Sequence, residues 1–324
     1  MPLMKFSDAI ARLYASAAEF DPEHFPRRTL EVMRELVDID GGVFGKSNPH
    51  GNAPSGKSMM FDQAYVYQRN PAILNEYLDI VEANPGIALH AQENPANVDC
   101  VCDFGDSAHA PLAELALHHS VRHLLLIAGL RAGRSGTIWL TLFRADDTPF
   151  SASELDMLQS AWPHILQAHR INLQQALLAM DPYGSTRPLG LVNRWGILEA
   201  ASATMIELIR CEWPGHDGAR LTLPVLNALI EHGRYRGSRI EITATPRYGY
   251  LACLGRRAPV LHALSPSQRA VAEKYARGLG HKEIASQLKV SPSTVRNHLA
   301  HVYQKLGIHS KAELAHSLSS RQAR

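Results

Sequence analysis

Three sets of residues in this 324-residue chain have types and spacing that suit chemistry. The first is Gly51-Asn52-Ala53-Pro54-Ser55-Gly56-Lys57-Ser58, which follows the Gly, four residues, Gly-Lys-Ser order of a phosphate-binding loop. Backbone amides and a lysine cradle phosphates in such loops. The loop should follow directly from a buried strand, but Lys46-Ser47-Asn48-Pro49-His50 intervenes. No apolar run ending in Asp offers a magnesium partner, because Asp146 and Asp147 follow Arg144-Ala145. The stretch reads as a Gly/Ser/Pro-rich hairpin loop, and a nucleotide-binding switch is the alternative. The second set is Cys100-Val101-Cys102 with His118, His119 and His123, potential zinc ligands or a redox pair. The usual Cys-x-x-Cys spacing is missing and the histidines gather at a helix–strand junction, so no metal is assigned. No Ser/His/Asp constellation or carboxylate pair marks a catalytic site. The chain reads as a non-enzyme without a cofactor. The third set is Ser293, Thr294, Arg296, Asn297, Ala300 and His301, which lie off an apolar helical stripe. Arg bonds guanine and Asn bonds adenine in a bidentate way, while hydroxyls and the backbone amides of a helix N-terminus suit a phosphate. This set suits the recognition of duplex DNA.

The elements that must position the third set are legible in the C-terminal sixty residues. Ser265-Pro266-Ser267-Gln268 is a helix start, with Ser as N-cap, Pro in the first turn and Gln completing a capping box. That helix runs to about Arg277, where Gly278 offers a left-handed exit. A second helix is expected over 281–288, and Lys289-Val290-Ser291-Pro292 breaks the chain. A third carries Val295, Leu299, Val302 and Leu306 as one buried stripe and ends at Gly307. A short fourth helix, 310–319, turns Leu314 and Leu318 inward. Ala285 lets the second and third helices cross closely. The first 263 residues hold 23 Lys/Arg and 28 Asp/Glu, whereas the remainder holds ten and three. A basic module on an acidic body is the electrostatic pattern of a protein with one phosphate-facing part.

These residues resemble the LuxR-type (FixJ- or NarL-type) DNA-binding domain. The resemblance rests on Lys282-Glu283-Ile284-Ala285, Ser291, Thr294-Val295-Arg296-Asn297-His298-Leu299 and Lys305-Leu306-Gly307. It implies a helix-turn-helix transcription regulator whose third helix enters the major groove. Arg296, Asn297 and Ala300 would face bases. Lys282, Thr294, His298 and Lys305 would lie near the DNA backbone or hold the recognition helix in place. Two departures stand out. Gln268 occupies a position where the family usually has Glu, so an ion pair gives way to a neutral cap. Ala300 replaces a polar reader. The implied partners are duplex DNA, a second copy of the chain, RNA polymerase and an unidentified small-molecule effector.

The body lacks the ordered acidic cluster, phosphoacceptor Asp and late Lys of a receiver domain. All four tryptophans (Trp139, Trp162, Trp195, Trp213) fall after residue 138, unlike the pocket cluster of an acyl-homoserine-lactone receptor. Helices are expected near 6–20, 25–39, 72–81 and 111–117, with strands at 42–45, 59–67, 121–130 and 137–144. That pattern resembles a GAF-type sensor. Ser151-Ala152-Ser153-Glu154 then caps a long helix whose stripe is Leu155, Leu158, Trp162, Ile165, His169, Leu173, Leu177 and Met180. Pro163 should kink it. The stripe suits either a two-stranded interface or packing on its own domain. Beyond it, strand, Gly turn and strand over 191–200, helices at 203–211 and 225–232, and a hairpin turned at Pro246-Arg247 resemble a short PAS-type module.

The expected fold class is therefore α+β and multidomain: a GAF-like sensor over 1–150, a connecting helix over 151–183, a PAS-like module over 184–259 and a four-helix all-α DNA-binding domain over 263–324. No signal peptide or membrane span is evident. Four cysteines are too few for a disulfide scaffold, so a cytoplasmic location is expected. The function expected is that of a dimeric transcription regulator responding to a small molecule. A constitutive DNA binder with a scaffold body is the blander alternative.

Overall fold

The apolar periodicities of the body fold into two five-stranded antiparallel sheets tied together by one helix. The computed structural model describes residues 2–48, 60–83, 99–101, 110–130, 137–181, 186–258 and 264–319. The phosphate-loop-like stretch and Cys102 lie outside the described residues.

The first unit contains α1 (Pro2–Glu19), α2 (Phe25–Leu36), β1 (Gly41–Asn48), β2 (Met60–Tyr67), α3 (Ala72–Ala83), β3 (Asp99–Val101), α4 (Ala110–His118), β4 (His123–Leu130) and β5 (Thr137–Arg144). Its sheet runs β2-β1-β5-β4-β3. One face is sealed by α1, α2 and the first part of α5 (Ala152–Leu178), in a core containing Leu13, Phe25, Met33, Leu140 and Ile165. Val43 and Phe143 on the other face pack against Ile73 of α3 and Leu115 of α4.

Arg144 and Asn172 both fasten α5 to this unit. Arg144 is buried, and its guanidinium donates to the carbonyls of Asp38, Thr148 and Pro149 and to Glu154 Oε1 at 2.7 Å. It therefore joins the end of α2 to the first turn of α5. Asn172, fully buried, donates through Nδ2 to the carbonyls of Ala17 (3.2 Å) and Phe20 (2.6 Å). Those carbonyls end α1 and have no partner in their own helix.

The second unit contains β6 (Leu189–Val192), β7 (Leu198–Ala201), α6 (Ala203–Glu212), α7 (Leu223–His232), β8 (Arg234–Arg236), β9 (Ile240–Arg247) and β10 (Tyr250–Arg257). Its sheet order, β7-β6-β10-β9-β8, repeats that of the first when strands are numbered within each unit. Helices α6 and α7 pack on one face through Met205, Leu208, Val225 and Leu229. Part of the other face receives Leu173, Ala176 and Leu177 from the C-terminal part of α5. Burial raises the Cys253 thiol to about 12 in this core, which leaves it protonated near neutral pH.

Two expectations are settled by packing. The stripe of α5 buries Leu158, Trp162, Ile165, His169, Leu173 and Leu177 against its own chain. It is therefore not a free seam for a two-stranded coil. The helix continues through Pro163 as one element. The last hairpin turns at Tyr248 and Gly249, both with positive φ (54° and 73°), and not at Pro246-Arg247. That is the backbone demanded by a two-residue hairpin turn. Pro246 fits inside β9 because the ladder to β8 stops at Thr243, so no strand there needs its missing N–H.

The units also meet directly. Lys46 Nζ, buried on β1, donates to the Tyr250 hydroxyl, and Gln63 Nε2 donates to the Gly249 carbonyl at 3.1 Å. The chain is thus an α+β protein with separate cores, the last of them all-helical. No described helix is long and apolar enough to cross a membrane.

Candidate nucleic-acid interface

The C-terminal helices are α8 (Pro266–Ala276), α9 (His281–Leu288), α10 (Pro292–Leu306) and α11 (Lys311–Ser319). Each start is capped as its residues require. Ser265 Oγ accepts from the Gln268 N–H and Gln268 Oε1 accepts from the Ser265 N–H, so the capping box closes in both directions. Glu283 accepts the Gly280 N–H, and Ser291 Oγ accepts the Thr294 N–H at 3.1 Å. Glu313 accepts the His309 N–H and the Ser310 hydroxyl, which holds its carboxyl below the ordinary value.

Between α9 and α10 the chain turns in three residues. Lys289 adopts the left-handed conformation (φ 52°, ψ 45°), and the Val290 N–H donates to the Ala285 carbonyl at 3.0 Å. Ala285 and Ile284 are buried against Val295 and Leu299, so the close crossing expected at Ala285 is present.

With Val295, Leu299, Val302 and Leu306 inward, the opposite side of α10 is determined. Ser293, Arg296, Asn297, Ala300 and His301 are exposed, at spacings of three, one, three and one. They form one helix face. Helix α10 carries no Asp or Glu, so nothing on it opposes a phosphate. Lys282, on α9, is exposed; Thr294 and His298 are half-buried. The Thr294 hydroxyl lies 2.8 Å from Ser291 Oγ, which places it in the helix cap. Lys305 lies away from that face and donates to Gln268 Oε1 at 3.0 Å, joining the end of α10 to the start of α8. Gln268 thus takes the lysine's bond as a neutral acceptor. Exposed Lys289 was not among the residues singled out by sequence. Its charge beside the interhelical turn was the available signal, hidden because the position read only as a chain break.

In the body, Trp139 lies over Gly45, its strand partner, where any Cβ would sit 2.2 Å from the indole. Phe61 lies 5.2 Å from Trp139 and stacks on Tyr77 at 6.0 Å, measured between ring centroids. The Trp139 Nε1 atom is buried and has no hydrogen-bond partner among the described residues. Of the sequence-derived metal set, Cys100 sits on β3 opposite Leu125, His123 opens β4, and His118 and His119 lie together at the end of α4.

Comparison with known proteins agrees with the C-terminal geometry. The family described as bacterial regulatory proteins, luxR family, matches residues 262–318. The transcriptional regulatory protein UhpA of Salmonella typhimurium is 42% identical over 74 residues, covering 23% of this chain and 36% of UhpA. The probable HTH-type transcriptional regulator GfsR of Streptomyces halstedii is 43% identical over 51 residues, covering 16% of this chain and 21% of GfsR. The chain thus spans about a third or less of these relatives. The crystal structure of Escherichia coli SdiA aligns with 98% of both chains at 14% identity, with a TM-score of 0.39. That value leaves the body to be described from its own topology. The C-terminal domain of this chain belongs to the luxR family of bacterial regulatory proteins.

Proposed function

We propose that the chain is a sequence-specific DNA-binding transcription regulator that acts as a dimer under the control of a small molecule. The observation that carries the reading is the acid-free exposed face of α10, with Arg296 and Asn297 at its centre. In this reading Arg296, Asn297 and Ala300 face base edges in the major groove. Ser293, His301, Lys282 and His298 face phosphates, while Thr294 and Lys305 hold the recognition helix in place. Two copies bind half-sites about one DNA turn apart. RNA polymerase is the downstream partner.

The division proposed for the body is a GAF-like sensor over 1–150, the connecting helix over 151–183 and a PAS-like module over 184–259. Its support is the recurrence of one sheet topology on either side of α5. The effector site proposed is the aromatic face of the first sheet beneath α3, where the Trp139 indole N–H offers an unused donor. A buried donor without a partner is costly, and a ligand acceptor would relieve that cost.

The test is DNA binding by the full chain to sites selected from random sequence. Arg296→Ala should cost about 1–3 kcal/mol and relax preference at one base pair. Unchanged affinity and preference would remove α10 from the groove.

A further inference from the structure

The two helices that cover the second face of the first sheet also bring Glu76 beside the sequence neighbours His118 and His119. Glu76 lies on α3; His118 ends α4 and His119 follows it. One donor atom from each lies within 4.8 Å of the other two. His119 is the anchored member: its side chain is 4% exposed, and its Nε2 lies 2.9 Å from Glu76 Oε2. The His118 ring lies beside it, 4.9 Å between centroids. His118 is exposed and the Glu76 side chain is 41% exposed, so the group opens to solvent on one side.

We propose that Glu76, His118 and His119 form a binding site for a divalent transition-metal ion of the zinc class. Two imidazoles and one carboxylate are the donor set of such ions; calcium and magnesium prefer oxygen alone. Tetrahedral ligation at about 2.1 Å places donors about 3.4 Å apart. The His119–Glu76 contact therefore opens by a few tenths of an ångström, and exposed His118 swings in by rotation about its side-chain bonds. Three protein ligands leave a fourth position on the solvent side for water. Because the ligands come from both helices, the ion clips α3 to α4 over the sheet face they share. The site stands on its own geometry, whether or not that face holds a small molecule.

The experiment uses the untagged full chain, stripped with chelator and titrated with zinc chloride against a chromophoric competitor. Expected is one equivalent bound with a micromolar or lower dissociation constant. His118→Ala and Glu76→Gln, both at solvent-accessible side chains, should each weaken it at least tenfold. His232→Ala, at an exposed histidine beside Glu231, should leave it unchanged. Zinc should raise the melting temperature of the wild type and of His232→Ala, but not of the two ligand variants. Either of two results overturns the proposal: no binding below about a hundred micromolar, or stoichiometric binding that survives both ligand variants. The first would leave His119–Glu76 an ordinary hydrogen bond, and the second would place the ion elsewhere.

Discussion

The first and second sheets share a strand order and a helix but are filled differently. The first is sandwiched, with α1, α2 and α5 on one face and α3 and α4 on the other. Among the described residues, the second has α6 and α7 on one face and the end of α5 on part of the other. Their charge differs as well. Residues 1–183 hold 13 Lys/Arg and 22 Asp/Glu, whereas residues 184–258 hold ten Arg, no Lys and six Asp/Glu. A duplex repels the first unit and tolerates the second, which is also the one adjoining the DNA-binding domain. One topology therefore serves two charge environments, and α5 packs against both sheets.

The sharpest way to break this comparison is to cut the core on either half of α5. Ile165 is fully buried in the first core, and Leu173 is almost so in the second. Ile165→Ala and Leu173→Ala should each cost about 2–5 kcal/mol. If α5 makes the units one cooperative body, each variant lowers the same calorimetric transition. Two transitions, each moved by one variant alone, would show two independent modules.

A smaller effect is expected where α5 is pinned to the first unit. Burial alone would raise the Glu154 carboxyl. Hydrogen bonds from the Ser151 N–H, Arg144 and the Ser151 hydroxyl outweigh it and hold the group below its ordinary 4.5. Its contribution is therefore complete above about pH 4.5 and lost as pH falls through the lowered value. Glu154→Gln should cost about 2 kcal/mol at neutral pH. The gap from wild type should close in acid, as read by urea melts at a series of pH values. At the junction of the units, Tyr250→Phe removes the hydroxyl that accepts from Lys46. About 1.5 kcal/mol should be lost, with a broader melting transition if this contact couples the sheets.

Element positions were readable in the sequence wherever apolar period and capping agreed, as at Ser151, Ser265 and Ser291. The helix-turn-helix was legible almost completely because its core and caps are local. Two things were not. Pro246 outweighed Gly249 in the reading of the last hairpin because a proline is a strong turn former; the shortness of β8, which frees that position, appears only in the fold. The group Glu76, His118 and His119 was half visible, as two of the histidines set beside Cys100 and Cys102, but Glu76 reaches it only through the packing of α3 on α4.

The smallest predicted change extends the comparison to the third core, which residues 264–318 build among themselves. Gln268 Oε1 accepts both the Ser265 N–H and Lys305 Nζ, so one neutral oxygen serves a helix cap and an interhelical tie. Gln268→Glu keeps the shape and supplies a carboxylate to both donors. The position is buried, so desolvation opposes the gain, while the exposed lysine and the N-terminus of α8 favour the charge. The net should be a stabilisation of about 0.5 kcal/mol, lost as the new carboxyl protonates in acid. Because the C-terminal core is separate, only its own transition should rise, and that of the two sheets should stay in place. A parallel rise in both would mean that the body and the C-terminal domain unfold as one.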